Sequence, residues 1–234
     1  MNKLLIIFLL CAGLGAQAQT TKEYNDPNAK VRVLKEDFNA ISVSSGIQLF
    51  LTQADQVALA VSPSEQRFEE RLKTEVVKGV LKIYYDTEGL ASNNYKNRKL
   101  VAYLSVKDIQ SIRSSGGAII RLVNPFKLDD LSLDCTSGSL FTGTVALSSL
   151  QASATSGAQV TLAGTADNVD ISVTSGAIFK GGSLQAQTCT AQANSGAVVK
   201  IAVEKEMTAF AKSGASVSYT GNATLKKSSV IVEL

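Results

Sequence analysis

The sequence contains no histidine and no tryptophan, and this absence limits the chemistry that the chain can perform. Without an imidazole there is no Ser-His-Asp or Cys-His catalytic arrangement and no histidine-ligated metal site. The nucleophile-elbow, phosphate-binding glycine-loop and EF-hand patterns are missing as well. The acidic pairs Glu69-Glu70 and Asp129-Asp130 are typical of a solvated helix face or turn. We therefore predict a protein that is not an enzyme and has no catalytic residues, metal site or cofactor.

Net charge is also small. The chain has 23 Lys and Arg against 20 Asp and Glu, a formal charge of +3, and no long basic run. The short basic stretch at residues 96–99 is typical of a solvated turn, so we predict no nucleic-acid partner.

The amino terminus has the pattern of an export signal. Lys3 precedes an apolar run over residues 4–14, and residues 16–18 read Ala-Gln-Ala. This pattern predicts a secretory signal peptide over residues 1–18, cut after Ala18. The alternative is a lipoprotein acylated at Cys11, but Leu10 is larger than the residue usual before a lipidated cysteine. No other segment is apolar for long enough to span a bilayer, so we expect an exported protein of the periplasm or cell surface.

A short phrase recurs through the second half of the chain. Its six copies are Ser115-Gly116-Gly117-Ala118, Thr136-Ser137-Gly138-Ser139, Thr155-Ser156-Gly157-Ala158, Thr174-Ser175-Gly176-Ala177, Asn194-Ser195-Gly196-Ala197 and Lys212-Ser213-Gly214-Ala215. From Gly117 onward the glycines are spaced 21, 19, 19, 20 and 18 residues apart. A nearly constant period of this length indicates a solenoid.

Apolar and polar residues alternate before each of these glycines. Positions −7, −5 and −3 are apolar in five copies: Leu131, Leu133, Cys135; Leu150, Ala152, Ala154; Val169, Ile171, Val173; Cys189, Ala191, Ala193; Met207, Ala209, Ala211. Strict alternation predicts a strand with one buried face. A second short strand is predicted after each glycine, with an apolar residue at +3: Phe141, Val160, Phe179, Val199 and Val217. A second turn is marked by Gly143, Gly164, Gly181-Gly182 and Gly221-Asn222.

Stacked units of this kind share a continuous core. We therefore predict an all-β, right-handed parallel β-helix or solenoid with coils of about 19–20 residues. The flexible lead-in is expected over residues 19–29 and a single solenoid domain over residues 30–234. Within it, residues 108–234 form the regular coils and residues 30–107 a less regular, β-rich part.

The Ser-Gly phrase has two interpretations. In the structural one, glycine supplies a positive φ at a tight corner and the serine hydroxyls stack into a polar ladder. In the functional one, a serine is a nucleophile or the corner binds an anion. Six similar copies favour the structural interpretation, since catalysis needs one serine and no base is available to activate it.

Two cysteines fall at inward positions of the predicted coils. Cys135 and Cys189 are three coils apart, about 14 Å at the usual strand spacing, which is beyond the reach of a disulfide. We predict two buried free thiols.

The amino-terminal half departs from the period. Strands are predicted at residues 30–35, 38–43, 47–52, 57–61 and 99–106, and a hairpin at residues 74–77 and 80–85 turning at Lys78-Gly79. Ser44-Ser45-Gly46 is a seventh, degenerate corner. Ser62, Pro63 and Glu65 carry helix-start signals and predict a short helix over residues 63–73. At the other end, Ser228-Ser229 and residues 230–234 are expected to cap the solenoid.

Residues 38–49, 78–83 and 109–118, with the later Ser-Gly-Ala copies, carry a resemblance to the auto-transporter adhesin head (GIN-domain) family of Bacteroidetes envelope proteins. The resemblance covers the whole chain after residue 18 and implies a secreted or envelope β-helical protein with an adhesin label. It offers no catalytic or binding residues to carry over. Ser228-Ser229 departs from the usual closing Ser-Gly of the family.

Three functions are consistent with these observations. The first is an adhesin-like binding protein that presents repeated Ser, Thr and Asn side chains, including the Thr136, Thr155, Thr174 column, to a glycan or surface protein. The alternative is a structural or assembly protein of the envelope, a possible homo-oligomer that associates through residues such as Phe210. A carbohydrate-active enzyme is disfavoured because the outward carboxylates, Asp134 and Asp170, are isolated. The binding residues and the ligand stay unknown at this level.

Overall fold

A computed structural model describes residues 26–90 and 98–228. The signal peptide over residues 1–18, most of the lead-in and the closing residues 229–234 lie outside these ranges. Within them the chain forms sixteen strands and one 3₁₀ turn. The strands are β1 (Lys30–Arg32), β2 (Ala40–Val43), β3 (Gln48–Gln53), β4 (Ala58–Pro63), β5 (Leu72–Val77), β6 (Val80–Tyr85), β7 (Leu100–Val106), β8 (Ser111–Ser114), β9 (Ile119–Leu122), β10 (Phe126–Cys135), β11 (Leu140–Ala154), β12 (Gln159–Thr174), β13 (Ile178–Asn194), β14 (Val198–Lys212), β15 (Ser216–Thr220) and β16 (Thr224–Ser228).

The strands of the second half stack in parallel and in register, as the repeat predicts. Leu150 of β11 pairs with Val169 of β12, which pairs with Cys189 of β13 and then with Met207 of β14. This stacking forms a β-solenoid of about six turns, so the predicted fold class is confirmed. The right-handed sense of the coil stays a prediction.

The core lies inside the coils and contains the residues that the alternation predicts. All fifteen inward positions before the corners are buried, and so are the five apolar residues at +3. Large side chains such as Phe126, Phe141 and Phe179 are fully buried, and Ala152, Ala191 and Ala209 pack opposite them in the narrow interior.

The predicted second turn does not interrupt the strands. β11 remains paired to β12 through this point, with Gly143 opposite Leu162 and Val145 opposite Gly164. Gly164 has φ of +108°, and a Cβ added there would lie 2.0 Å from the carbonyl oxygen of Val145. The expectation of two short strands per coil is therefore wrong for the coils of β11 to β14. The coils of β11 to β14 each have one long strand that bends, whereas β9 and β10, like β15 and β16, remain two separate strands. At Gly164 glycine is needed because the neighbouring backbone is so close.

At six corners both the serine and the glycine have positive φ, and at the seventh Gly116 takes the place of the serine. Ser156 has φ of 53° and Gly157 of 72°, and the N–H of Ala158 donates to the carbonyl of Thr155 at 3.1 Å. Positive φ at both central residues is the requirement of a type I′ turn. The sequence interpretation assigned this conformation to glycine alone.

The corners are joined by their backbones. The N–H of Gly157 donates to the carbonyl of Ser175 in the next coil at 3.1 Å, and the same bond recurs from Gly46 to Gly196 at 2.9–3.1 Å. We call this series of six bonds the corner ladder. The sequence interpretation, which considered the stacked hydroxyls, did not include this backbone series, in which the left-handed residue before the corner glycine turns its carbonyl toward the glycine of the adjacent coil.

The amino-terminal half is threaded out of sequence order. β2 lies between β6 and β8, and β3 lies between β7 and β9, all in parallel. The coil formed by β2 and β3 is therefore in the middle. The next parallel strands in the chain, β6 and β7, pair with one edge of this coil, and β8 and β9 pair with its opposite edge.

Antiparallel strands complete this end. β5 pairs with β6 through the predicted hairpin, in which Lys78 and Gly79 have φ of 52° and 75°. At β7, the strand β4 pairs antiparallel, and β1 in turn pairs antiparallel with β4.

The predicted helix over residues 63–73 is a single 3₁₀ turn at Gln66–Phe68. Ser62 and Pro63 belong to β4, opposite Val101 and Leu100 of β7, and β5 has already begun at Leu72. Sheet pairing on both sides leaves room for one turn only, so the helix-start signals are overridden.

Candidate binding surface

The exposed corners form a ridge of serine side chains along the solenoid. Its members, which we call the serine ridge, are Ser137, Ser156, Ser175, Ser195 and Ser213. Each follows a residue of the outward column Thr136, Thr155, Thr174, Asn194 and Lys212. In two coils the neighbouring hydroxyls approach each other, at 3.4 Å for Thr136 and Ser137 and at 3.5 Å for Thr155 and Ser156. Because successive coils are about 4.8 Å apart, the ridge presents one hydroxyl per coil at a regular spacing.

A second surface is formed by the outward side chains of the strand segments that lead into each corner, and we call it the polar face. Its rows contain Ser, Thr, Gln and Asn with few charges, and the Arg113 and Asp134 side chains form a salt bridge at 2.9 Å across adjacent coils. Asp170 is exposed and isolated from Asp134 by one coil. Phe210 lies in the outward phase as predicted but is half-buried, which weakens the version of the assembly hypothesis that needs it exposed.

The chemistry of these surfaces is that of hydrogen bonding. Hydroxyl and amide groups both donate and accept. Among residues 26–90 and 98–228 there is no cluster of three or more Cys, Asp or Glu residues that could hold a metal ion. The two cysteines are free and buried, as predicted, and burial raises the pKa of both thiols to about 12.

A third outward surface follows the corners, and the sequence interpretation missed it. We call it the basic face, and define it by two columns. One column contains Gln48, Ile119, Leu140, Gln159, Ile178, Val198 and Ser216, and the other contains Tyr103, Phe50, Arg121, Thr142, Thr161, Lys180, Lys200 and Ser218. These are positions +2 and +4 from each glycine. The same periodic count that located the +3 core position would have found them.

A groove with a volume of about 410 Å³ lies along the basic face, at the bend of the coils. Its lining includes Leu122, Pro125, Thr142, Thr161, Leu162 and Lys180. Lys180 is the one charged residue of the lining. Gly143 and Gly182 are also part of the lining, and Leu122 packs over the site where a Cβ of Gly143 would lie.

Two sequence comparisons bear on identity. The family model described as “Putative auto-transporter adhesin, head GIN domain” matches residues 37–223. No curated protein matches the chain.

Solved structures resemble the fold over most of its length. A putative adhesin from Bacteroides fragilis has a TM-score of 0.78 at 15% identity, covering 87% of this chain and 94% of that one. A putative adhesin from Parabacteroides merdae has 0.68 at 15%, covering 88% and 95%. A putative lipid binding protein from Parabacteroides distasonis has 0.67 at 17%, covering 88% and 96%. At these identities the likeness is one of fold.

Proposed function

The chain belongs to the putative auto-transporter adhesin head GIN-domain family, and on that premise we propose that it is a non-enzymatic, adhesin-like binding module. It is exported to the cell envelope, where the solenoid presents the serine ridge and the polar face to a glycan or a surface protein. No helix in the described ranges is long and apolar enough to cross a membrane.

The observation that carries this proposal is the conformation of the serine ridge. Five serines have φ between 52° and 55° in a region that costs a non-glycine residue about 1–2 kcal/mol. Gly116 occupies the same corner position with φ of 55°, so glycine is accepted there. Backbone strain retained at successive exposed positions is typical of a functional surface.

The geometry of the ridge suits an extended partner. The hydroxyls repeat at about the strand spacing of 4.8 Å, and the neighbouring Thr and Asn side chains add donors and acceptors in the same period. A sugar polymer or an extended peptide offers hydroxyl, amide or carbonyl groups in a comparable linear series.

Glycine substitutions in the ridge test the proposal. Ser156→Gly with Ser175→Gly removes two hydroxyls while it relaxes the backbone, so the variant is expected to be at least as stable as the wild type and to lose affinity by about tenfold. Binding is measured on glycan and matrix-protein arrays, with Ser148→Gly, an exposed serine on the far side of the bend, as the control. No binding by the wild type, or equal binding by the ridge variant, would count against the proposal.

The proposed function also requires that the protein be exposed on the cell surface. We expect protease treatment of intact cells to release peptides of this protein while periplasmic markers stay intact. Release only after the outer membrane is opened would favour a periplasmic assembly role, which light scattering of the purified protein would then test.

A further inference from the structure

We propose that the basic face and its groove bind an extended acidic polysaccharide, with Arg121, Lys180 and Lys200 contacting its carboxylate or sulfate groups. The inference rests on the proposed function and specifies a ligand class and a surface for it, one different from the serine ridge.

Charge is segregated around the coils. Arg121, Lys180 and Lys200 lie in one register column and are exposed. The acidic residues of β8 to β16 all fall between the bend and the next corner: Asp129, Asp130, Asp134, Asp167, Asp170, Glu204 and Glu206. None lies at the +2 or +4 positions, so within these coils the basic face carries positive charges and no carboxylate, although the whole chain is nearly neutral. At the first coil the Tyr103 hydroxyl donates to the Asp26 carboxylate at 3.0 Å, so the positive part of the face begins at Arg121.

The three cations are also available to a ligand. In the ranges that the structure describes, salt bridges use Lys30, Arg67, Arg113 and Lys226, and none involves the basic face. On the polar face, by contrast, Arg113 is already neutralised by Asp134. A cation without an intramolecular partner is free to pair with an anionic group of a ligand.

The shape of the basic face favours a chain of rings. Lys180 and Lys200 are one coil apart, about 4.8 Å, and Arg121 lies three coils before Lys180, about 14 Å. Thr142 and Thr161 fill the intervening positions and line the groove, whose volume of about 410 Å³ is within the usual range for a small-ligand pocket. A sugar ring seated there would contact the aliphatic floor with its apolar edge and the threonine hydroxyls with its own hydroxyls.

An aromatic platform extends the same column. The rings of Phe50 and Tyr103 are stacked with centroids 5.5 Å apart and planes inclined by 11°. Both side chains are half-buried, and Phe50 lies next to Arg121 in register. The Tyr103 hydroxyl donates to the Asp26 carboxylate at 3.0 Å, so the acidic polymer is expected to bind from Arg121 onward, along the later coils. A membrane-inserting surface would instead need large apolar side chains that project into the bilayer.

Charge-removal variants test the inference. The triple variant Arg121→Gln, Lys180→Gln, Lys200→Gln is compared with the triple control Lys107→Gln, Lys127→Gln, Lys205→Gln, which removes the same charge from exposed lysines outside the basic face and the serine ridge. Binding to immobilised polygalacturonate, with neutral dextran as reference, is measured by interferometry at low and high salt. We expect wild type and control to bind polygalacturonate in a salt-sensitive manner, and the basic-face variant to bind at least about tenfold more weakly.

A variant that is expected to bind more tightly also tests the inference, because misfolding could explain a loss of binding but not a gain. Ser218 follows Lys200 in the column, so Ser218→Lys extends it and is expected to tighten binding by about twofold or more. Ser148→Lys, which adds a lysine at an exposed position on the far side of the bend, should leave the affinity unchanged.

The possible results separate this inference from the proposed function. Equal binding by the two triple variants, or binding to phosphatidylglycerol vesicles in place of polygalacturonate, would overturn it. Binding of neutral glycans or proteins that depends on the serine ridge, without polygalacturonate binding, would overturn the inference and leave the proposed function intact. Absence of binding to every array component and to polygalacturonate would contradict both the inference and the proposed function.

Discussion

Gly138 and Gly164 both have positive φ, but their surroundings differ. An added Cβ meets no atom within 4 Å at Gly138, whereas at Gly164 it would lie 2.0 Å from the carbonyl oxygen of Val145. The corner glycine is therefore chosen for its conformation alone, and the bend glycine for conformation and space.

Alanine substitutions at these two residues are predicted to differ in effect. Gly164→Ala should lower the free energy of unfolding by about 3 kcal/mol or more, because backbone of the adjacent coil must move. Gly138→Ala should cost about 1 kcal/mol, the strain of the left-handed conformation. Urea denaturation of both variants measures the difference, and similar losses would contradict the proposed crowding at the bend.

The buried thiols predict a dependence of stability on alkaline pH. Desolvation, with a smaller contribution from the neighbouring Asp134 or Asp170 carboxylate, raises the pKa of Cys135 and Cys189 from 9.0 to about 12. Below pH 9 both folded and unfolded thiols are protonated, so nothing is lost. Between 9 and about 12 only the unfolded thiols ionise, so stability falls as the pH rises.

This effect is isolated by removing the thiols. Cys135→Ala with Cys189→Val keeps each column apolar, since Ala154 and Val169 are the neighbours in register. Urea denaturation at about pH 8 and about pH 10.5 should show a smaller alkaline loss in the variant than in the wild type. An identical loss would mean that other groups account for the pH dependence.

At the scale of elements, the corner ladder needs a cap at its first turn. In the described part of the chain, the carbonyl of Ser45 accepts a hydrogen bond from Arg98 Nη2 at 2.9 Å, where the later corner serines accept from a glycine N–H. The Arg98 guanidinium also lies 4.8 Å from the centre of the Tyr85 ring. One side chain thus connects the start of the ladder to the strand β6 that flanks it.

Arg98→Ala is expected to destabilise the protein by about 1–3 kcal/mol, because a charged hydrogen bond and a cation–π contact are lost together. Arg98→Lys should recover part of this, since it keeps the charge and loses the planar geometry. Thermal unfolding of the three proteins gives the order. A fully stable Arg98→Ala protein would show that the corner ladder needs no cap.

At the scale of the whole molecule, strand order predicts where the structure opens first. Among the strands of residues 26–90 and 98–228, β2 and β3 are paired on both sides, whereas β15 is paired with β14 alone. Hydrogen exchange followed by mass spectrometry should show amides of β2 and β3 exchanging at least about tenfold more slowly than those of β15. Uniform exchange along the chain would indicate a single cooperative unit instead.

The regular coils were predictable because one sequence period repeats both the apolar alternation and the corner phrase. All inward positions from Leu131 to Ala211 followed from it, as did the free thiols. The helix after Ser62 did not, because local start signals were outweighed by pairing between β4 and β7. The candidate surface was predictable in part: the Ser and Thr columns came from the repeat, but the basic face needed positions +2 and +4 to be compared across coils.

By itself the sequence determined an all-β solenoid, its inward residues and the position of each corner, since these depend on local period and on contacts between equivalent residues. Only the tertiary structure decided that β2 and β3 lie inside the stack, between strands that come later in the chain. It alone gave serine a left-handed conformation, through hydrogen bonds to the next coil. It also brought Arg121, Lys180 and Lys200 into one column. These features depend on pairing between distant segments, and no local pattern contains that information.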